Sequence, residues 1–200
     1  MKTFVRDVWS EKSALFVAAC LLVIHLYLFS PHNTTPLYAQ DVGMDIFVHI
    51  DGAKGSSTDE AHLGWIEATG VKFSITGSEL PVGGGSRTPA ILNAVTIVKE
   101  IDISSPILTI FCAEGKFVKY ATVHFVENSQ DRRVFYEIFM IEVVLSSVSV
   151  DSNSSEVSLK EAYKLRANRV EWTVTPVKPD GSPGAAIKRC WDFKHNTRCY

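Results

Sequence analysis

The chain has 200 residues, 46% of them apolar and 21% charged, with a formal net charge of −2. This size and balance fit one globular domain and leave no room for two ordinary ones. Nucleic acid is excluded as a natural partner, because the short basic groupings "DRR" and "KRC" read as solvated faces and no basic run exists.

The first forty residues differ from the rest. Lys2, Arg6 and Lys12 precede the apolar run "ALFVAACLLVIHLYLF", and "TPLYAQD" follows, which is the layout of an export signal with Ala39 as a cleavage point. An uncleaved membrane anchor through residues 14–30 is a second reading. At about 1.5 Å per residue, the sixteen-residue run covers roughly 24 Å, less than a hydrocarbon core of about 30 Å. Translation from Met44 is a third. Residues 1–43 are therefore assigned to a signal peptide or membrane anchor plus linker, and 44–200 to a folded domain. Without Met1–Ala39 the chain keeps 17 Lys plus Arg against 20 Asp plus Glu, a net charge of −3.

Within the domain, Asp45–Ile50 alternates, with Ile46, Val48 and Ile50 on one side and Phe47 and His49 on the other, which is strand periodicity. "DGAKGSSTDEAHLG" supplies turn residues. "WIEATGVKFSIT" reads as a strand with Gly70 marking a bulge, and "GSELPVGGGSRTP" as a mobile loop. "ILNAVTIVKEI" reads as a further strand. Ser104 or Ser105 as N-cap, Pro106 at the first helical position and Gly115 as terminator predict one short helix. Its body, "PILTIFCAE", is apolar nearly all round and requires a sheet to pack on, with Cys112 as a buried structural thiol in that contact.

The second half predicts strands in "KFVKYATVHFVE" and, after the turn "NSQDRR", in "VFYEIFMIEVVLSSVSV". In the latter, both faces are apolar, Phe135, Phe139, Ile141 and Val143 on one and Val134, Tyr136, Ile138 and Met140 on the other. Such a strand is covered on both sides, by the helix or by a neighbouring subunit. "VSLKEAYKLRANRVEWTVTPV" carries two strand-like pieces, and "AAIKRCWDFK" follows the turn "KPDGSPG". The expected fold is mainly β, an antiparallel β-barrel of about eight strands with one short α-helix.

Chemistry is sparse. The chain has no G-x-S-x-G, P-loop, H-E-x-x-H or paired C-x-x-C motif, and "GGGSRTP" lacks the Lys of a phosphate cradle. His25 and His32 belong to the leader, while His49, His62, His124 and His195 stand far apart, with His49 and His124 read as structural imidazoles in strands. Asp45, Asp51, Asp59 and Glu60 are acid–base candidates that no spacing singles out. No catalytic, cofactor-binding or metal-binding residue is assigned, and the expectation is a protein that is not an enzyme. Cys190 and Cys199 either pair, which demands a reversal around "KHNTR", or stay as free thiols.

One resemblance runs through the domain. "MDIFVHIDGAKGSSTDEAHLGWIEA", with Met44, Asp45, Phe47, Asp51, Gly52, Gly55, Asp59, His62, Ile66 and Glu67, resembles the start of the hemolysin-coregulated protein (Hcp) family of bacterial type VI secretion. "SSPILTIFCAEGK" is similar to the family's helix, and the ending from "EVSLKEAYKLRANRVEW" to "CWDFKHN", with Asp180, Gly181, Gly184, Trp191, Asp192 and Lys194, is similar to its close. The three blocks cover about residues 44–196 in the same order and spacing.

The resemblance implies a barrel flanked by a helix, six copies closing into a ring, and rings stacked into a hollow tube. It also implies small exported effector proteins held inside and a spike protein at the tip, with "GSSTDEAHLG" as the first place to look for ring-to-ring contact. The alternative is an exported or membrane-anchored binding module of the same fold that forms no tube. Localisation follows the N-terminus: periplasmic or extracellular if the leader is used, cytoplasmic and then secreted if translation starts at Met44.

Overall fold

The structure, a computed structural model, describes residues 43–77, 79, 85, 88–128, 132–151 and 159–199. The predicted signal or anchor segment, most of the Gly-rich loop and the tip of the "NSQDRR" turn lie outside the described residues. Among the described residues no helix is long and apolar enough to cross a membrane.

Eleven strands and one helix follow in order among the described residues: β1 Met44–Ile50, β2 Ile66–Ala68, β3 Gly70–Lys72, β4 Ile75–Thr76, β5 Ile91–Leu92, β6 Val95–Glu100, α1 Ser105–Glu114, β7 Phe117–Glu127, β8 Val134–Asp151, β9 Lys160–Val174, β10 Ile187–Asp192 and β11 Thr197–Arg198. Nine strands form one antiparallel sheet in the order β11-β10-β9-β8-β7-β1-β2, from which β6 branches by pairing with β9, and β3 by pairing with β6. β4 and β5 make a separate ribbon.

The sheet is not closed into the expected barrel. The segment that would have to close it is broken at Thr69: Ala68 still pairs with Ile46 of β1, but the Thr69 N–H and hydroxyl both donate to the Val98 carbonyl of β6, at 2.8 and 3.2 Å. β2 therefore serves β1 and β3 serves β6, three residues each, and no strand bonds to both along its length. "ILNAVTIVKEI" is likewise interrupted, because the Asn93 N–H and side chain turn to Ser74. The two pieces expected after residue 157 are instead the single fifteen-residue β9.

Alternation places Ile46, Val48 and Ile50 of β1, Ala121 and Val123 of β7 and Ile138 and Met140 of β8 in one core. In the second half of β8 the buried residues become Val143 and Leu145, because Glu142 adopts φ +54° and passes one side chain out of turn. Val143 thus joins the face of Ile138 and Met140, against the expected grouping with Phe139 and Ile141. The neighbouring strands shift at the same level: β7 buries Val118 and then Ala121, and β9 buries Leu165 and then Val170. Register survives because all three strands slip together, with Val118 opposite Val143 and Val143 opposite Ala167.

The helix buries Leu108 and Phe111 in this core, each worth roughly 1.5–3 kcal/mol relative to exposure. Its end follows the sequence: Gly115 at φ +60° lets its own N–H reach Cys112 and the Lys116 N–H reach the Phe111 carbonyl. At its start Ser104 is the N-cap residue, as one of the two expected, but makes no side-chain cap bond, and Pro106 is second after Ser105 instead of first. Cys112 is half-buried beside the core. One face only is covered, since Ile107 and Ile110 stand exposed.

Candidate functional site

Three features of the described residues stand out beyond the core, and none was legible from spacing alone. The first is a buried ionic knot under the helix start. Lys99 of β6, 1% exposed, extends its Nζ to Glu161 of β9 at 2.6 Å, to Asp102 at 2.7 Å and to the Glu100 carbonyl at 2.9 Å. Ser105 donates to Glu161 at 2.6 Å, and the Tyr163 hydroxyl donates to the other Glu161 oxygen at 3.0 Å. Burial, helped by the Glu161 carboxylate, pushes the Tyr163 phenol up to about 12. Burial pushes the Asp102 carboxyl up, but bonds from Lys99 and Ser104 outweigh it and hold it below its ordinary range. The knot fixes the link 101–103, whose Ile101 and Ile103 point outward.

That link borders the second feature, an open cavity of about 1070 Å³ between the start of β1, the 56–59 loop, the β2 end and Glu100–Ile103. Its polar lining is acidic, with Asp45, Asp59, Glu67, Glu100 and Asp102 against Arg132, and its apolar lining includes Met44, Ile101 and Ile103. Arg132 is already committed to Asp45 at 3.0 Å and Asp59 at 2.9 Å. Of the four acid–base candidates, Asp45 and Asp59 therefore meet through Arg132, while Asp51 and Glu60 do not join them.

The third feature is the loop from Asp51 to Trp65, which folds back over the non-core face of β1 and β7. Gly55 donates to Gly64 and Ser57 to Trp65, at 2.8 and 2.9 Å. A Cβ on Gly55 would overlap the Trp65 carbonyl, which explains the glycine. Asp59 accepts from the Ala61 and His62 N–H groups and, at 2.7 Å, from His62 Nδ1. His62 stacks on Phe47 with ring centres 4.2 Å apart, so Phe47 is buried although it points away from the core. Its other nitrogen lies 2.9 Å from His124 Nδ1, and His124 Nε2 lies 2.9 Å from Glu137. Two histidines that looked unrelated in sequence are thus joined, because register sets Phe47, His124 and Glu137 directly opposite one another on β1, β7 and β8.

His49 lies against Trp65 and Tyr120. His195 donates its backbone N–H to Asp192, with its Nδ1 2.9 Å from the same carboxylate, and these bonds hold Asp192 down to about 2. Cys190 and Cys199 are bonded as a disulfide with Cα atoms 5.2 Å apart, the reversal being the turn at 193–196 between β10 and β11. Among the described residues no group of three His, Cys, Asp or Glu is arranged to hold a metal. The second face of β8 carries Phe139, Ile141 and Val144, all half-buried, and Phe117 beside Val144 is 72% exposed.

A family model described as "Type VI secretion system effector, Hcp" matches residues 47–174. The curated "Protein hcp1" of Pseudomonas aeruginosa is 29% identical over 161 residues, covering 78% of this chain and 99% of that protein. A solved structure described as "Structure of a type six secretion system protein" superposes with a TM-score of 0.72 at 21% identity, covering 78% of this chain and all of that one. Hcp1 from Salmonella typhimurium gives 0.65 at 25% identity over 78% of this chain and 99% of its own. The chain belongs to the Hcp family, the structural, non-catalytic tube proteins of type VI secretion.

Proposed function

We propose that this chain forms six-membered rings which stack into a hollow tube, hold small exported proteins in the lumen and meet a spike protein at the tip. The observation that carries the reading is the open sheet with apolar residues left on its outside. β2 and β11 end the hydrogen-bonded path, so their outer edges are available for pairing. Ile101 and Ile103 of the link, Ile107 and Ile110 of α1 and Phe117 of β7 also remain 37–72% exposed, apolar surface that a neighbouring copy would cover. A ring covers such edges by cyclic closure, whereas head-to-tail stacking stays open along the axis and yields a tube. Native mass spectrometry of the purified protein at tens of micromolar tests this: a mass of six chains is expected, and a strictly monomeric mass refutes it.

A second reading, an exported or membrane-anchored module that keeps the fold without the tube, is favoured by the Cys190–Cys199 disulfide, since such bonds persist in oxidising compartments. It predicts a mature N-terminus after Ala39, or an intact leader held in the membrane, together with a monomeric mass. Sequencing the N-terminus of the protein recovered from cells distinguishes these from a start at Met44, which the tube reading with cytoplasmic assembly and later secretion requires.

A further inference from the structure

Four ionisable groups form one continuous chain across the loop and the sheet: Asp59 to His62 at 2.7 Å, His62 to His124 at 2.9 Å, and His124 to Glu137 at 2.9 Å. Each of the three contacts needs one proton between its two heavy atoms, because a nitrogen lone pair facing a carboxylate or another lone pair at this distance is repulsive. Two ionised carboxylates and two neutral imidazoles supply only two. The intact chain therefore holds a third, and with both carboxylates ionised it sits on the His62–His124 contact in one of two ways: a charged His62 donates from Nε2 to a neutral His124, or a charged His124 donates from Nδ1 to a neutral His62, His62 Nδ1 and His124 Nε2 donating to Asp59 and Glu137 in both. Burial, resisted by Glu137 and reinforced by the charge of His62, favours the neutral His124.

A fourth proton has one place to go while the carboxylates remain ionised, His124 Nδ1, and it sets two N–H groups against each other at 2.9 Å. We propose that the Asp59–His62–His124–Glu137 chain is an acid-sensitive latch, which holds the Asp51–Trp65 loop on the sheet while His124 is neutral and releases it when His124 becomes charged.

Other charges around the pair do not remove the conflict. Arg132, with Asp45 behind it, is bonded to Asp59 on the far side from His124. Lys188 of β10 lies near Glu137 but is paired with Glu171 at 2.8 Å, and His49 faces Trp65 and Tyr120 instead. Release has a local consequence, since Ser56, Thr58 and Asp59 are a wall of the 1070 Å³ cavity, which opens as the loop leaves. A single copy of the chain suffices for the latch, so it stands apart from the ring reading.

Hydrogen exchange on the full-length protein tests it. The Gly55, Ser57, Gly64 and Trp65 amides, all bonded inside the loop, should lose at least tenfold in protection factor between pH 7.5 and pH 5.0, after correction for intrinsic exchange, while the Val123 amide of β7 keeps its protection. His124→Asn keeps an acceptor opposite His62 but cannot take the proton, so the step should vanish in H124N. Unchanged loop protection in the wild type, or an equal loss in H124N, overturns the latch. Should H124N fail to fold, ¹⁵N NMR of the wild-type imidazoles decides: His124 should pass from a neutral Nε2–H ring to a doubly protonated one as the loop opens, and a ring that never changes state overturns the proposal.

Discussion

Removing the Glu161 carboxylate is the sharpest test of what anchors the helix. Glu161→Ala takes the partner at 2.6 Å from Lys99, which is 1% exposed, and strips the acceptor from Ser105 and one acceptor from Tyr163. Breaking a buried ion pair on one side costs about 3–5 kcal/mol. The lower end applies here, because Lys99 keeps Asp102 at 2.7 Å and the Glu100 carbonyl, and Tyr163 keeps the Ser105 carbonyl at 3.2 Å. For a domain of this size about 3 kcal/mol corresponds to a fall of roughly 6–12 °C in Tm. Urea titration followed by Trp fluorescence should show a lower midpoint at unchanged slope. The double variant Lys99→Met with Glu161→Leu should recover most of the loss, since the charge pair and its desolvation disappear together. A cost below about 1 kcal/mol for Glu161→Ala, or a double variant less stable than either single one, refutes the reasoning.

Gly55→Ala should destabilise by at least 1–3 kcal/mol, the usual range for overpacking, because the overlapping atom is the Trp65 backbone carbonyl and cannot rotate away; thermal unfolding measures it. Replacing Cys190 and Cys199 by Ser should cost up to about 2.5 kcal/mol from the loop-closure entropy of their nine-residue separation, read as the difference in urea midpoint between the oxidised protein and the variant. Tyr163 contributes alkaline sensitivity. Its phenol is raised in the folded state, so its share of stability is complete below pH 10 and declines as pH climbs through about 12, and Tyr163→Phe should flatten that part of the stability profile. Asp192 acts in the opposite direction. Held down to about 2, it supports the fold above its ordinary value of 3.8 and loses that support as pH falls through about 2, a slope that Asp192→Asn should remove.

Local chemistry was legible in the sequence wherever one segment decides it. The alternation of Ile46, Val48 and Ile50 gave β1, and the Pro106 and Gly115 signals bounded α1 to within one residue. The three family blocks carry the resemblance to the Hcp family in the sequence alone. What the sequence did not reveal was closure, because whether β2 and β3 act as one strand rests on where the Thr69 amide finds its acceptor, a tertiary choice. The ionic knot was hidden for a related reason: Lys99 and Glu161 lie 62 residues apart and meet only because β6 pairs with β9. His62 and His124 are separated by the same span and had no ligand-like spacing to draw notice. The disulfide was an open alternative, and the turn at 193–196 decided it.

The irregularity at Glu142 bears on the proposed assembly. A long strand with two apolar faces can hide one against its own core and must leave the other for something else. Had β8 kept strict alternation, Val143 and Leu145 would have fallen on the outer face with Phe139 and Ile141, and Glu142 and Val144 would have entered the core after Met140. The left-handed residue at 142 reverses this and, because β7 and β9 shift at the same level, does so without changing the register of either pairing. The outer face beyond that level then presents Val144 beside Phe117 and Arg166, followed by Ser146 and Lys164, so its apolar stripe ends in a polar, basic patch. A stripe bounded in this way suits an interface of fixed extent, whereas an unbroken greasy strand of eighteen residues would offer an edge-to-edge contact with no defined limit.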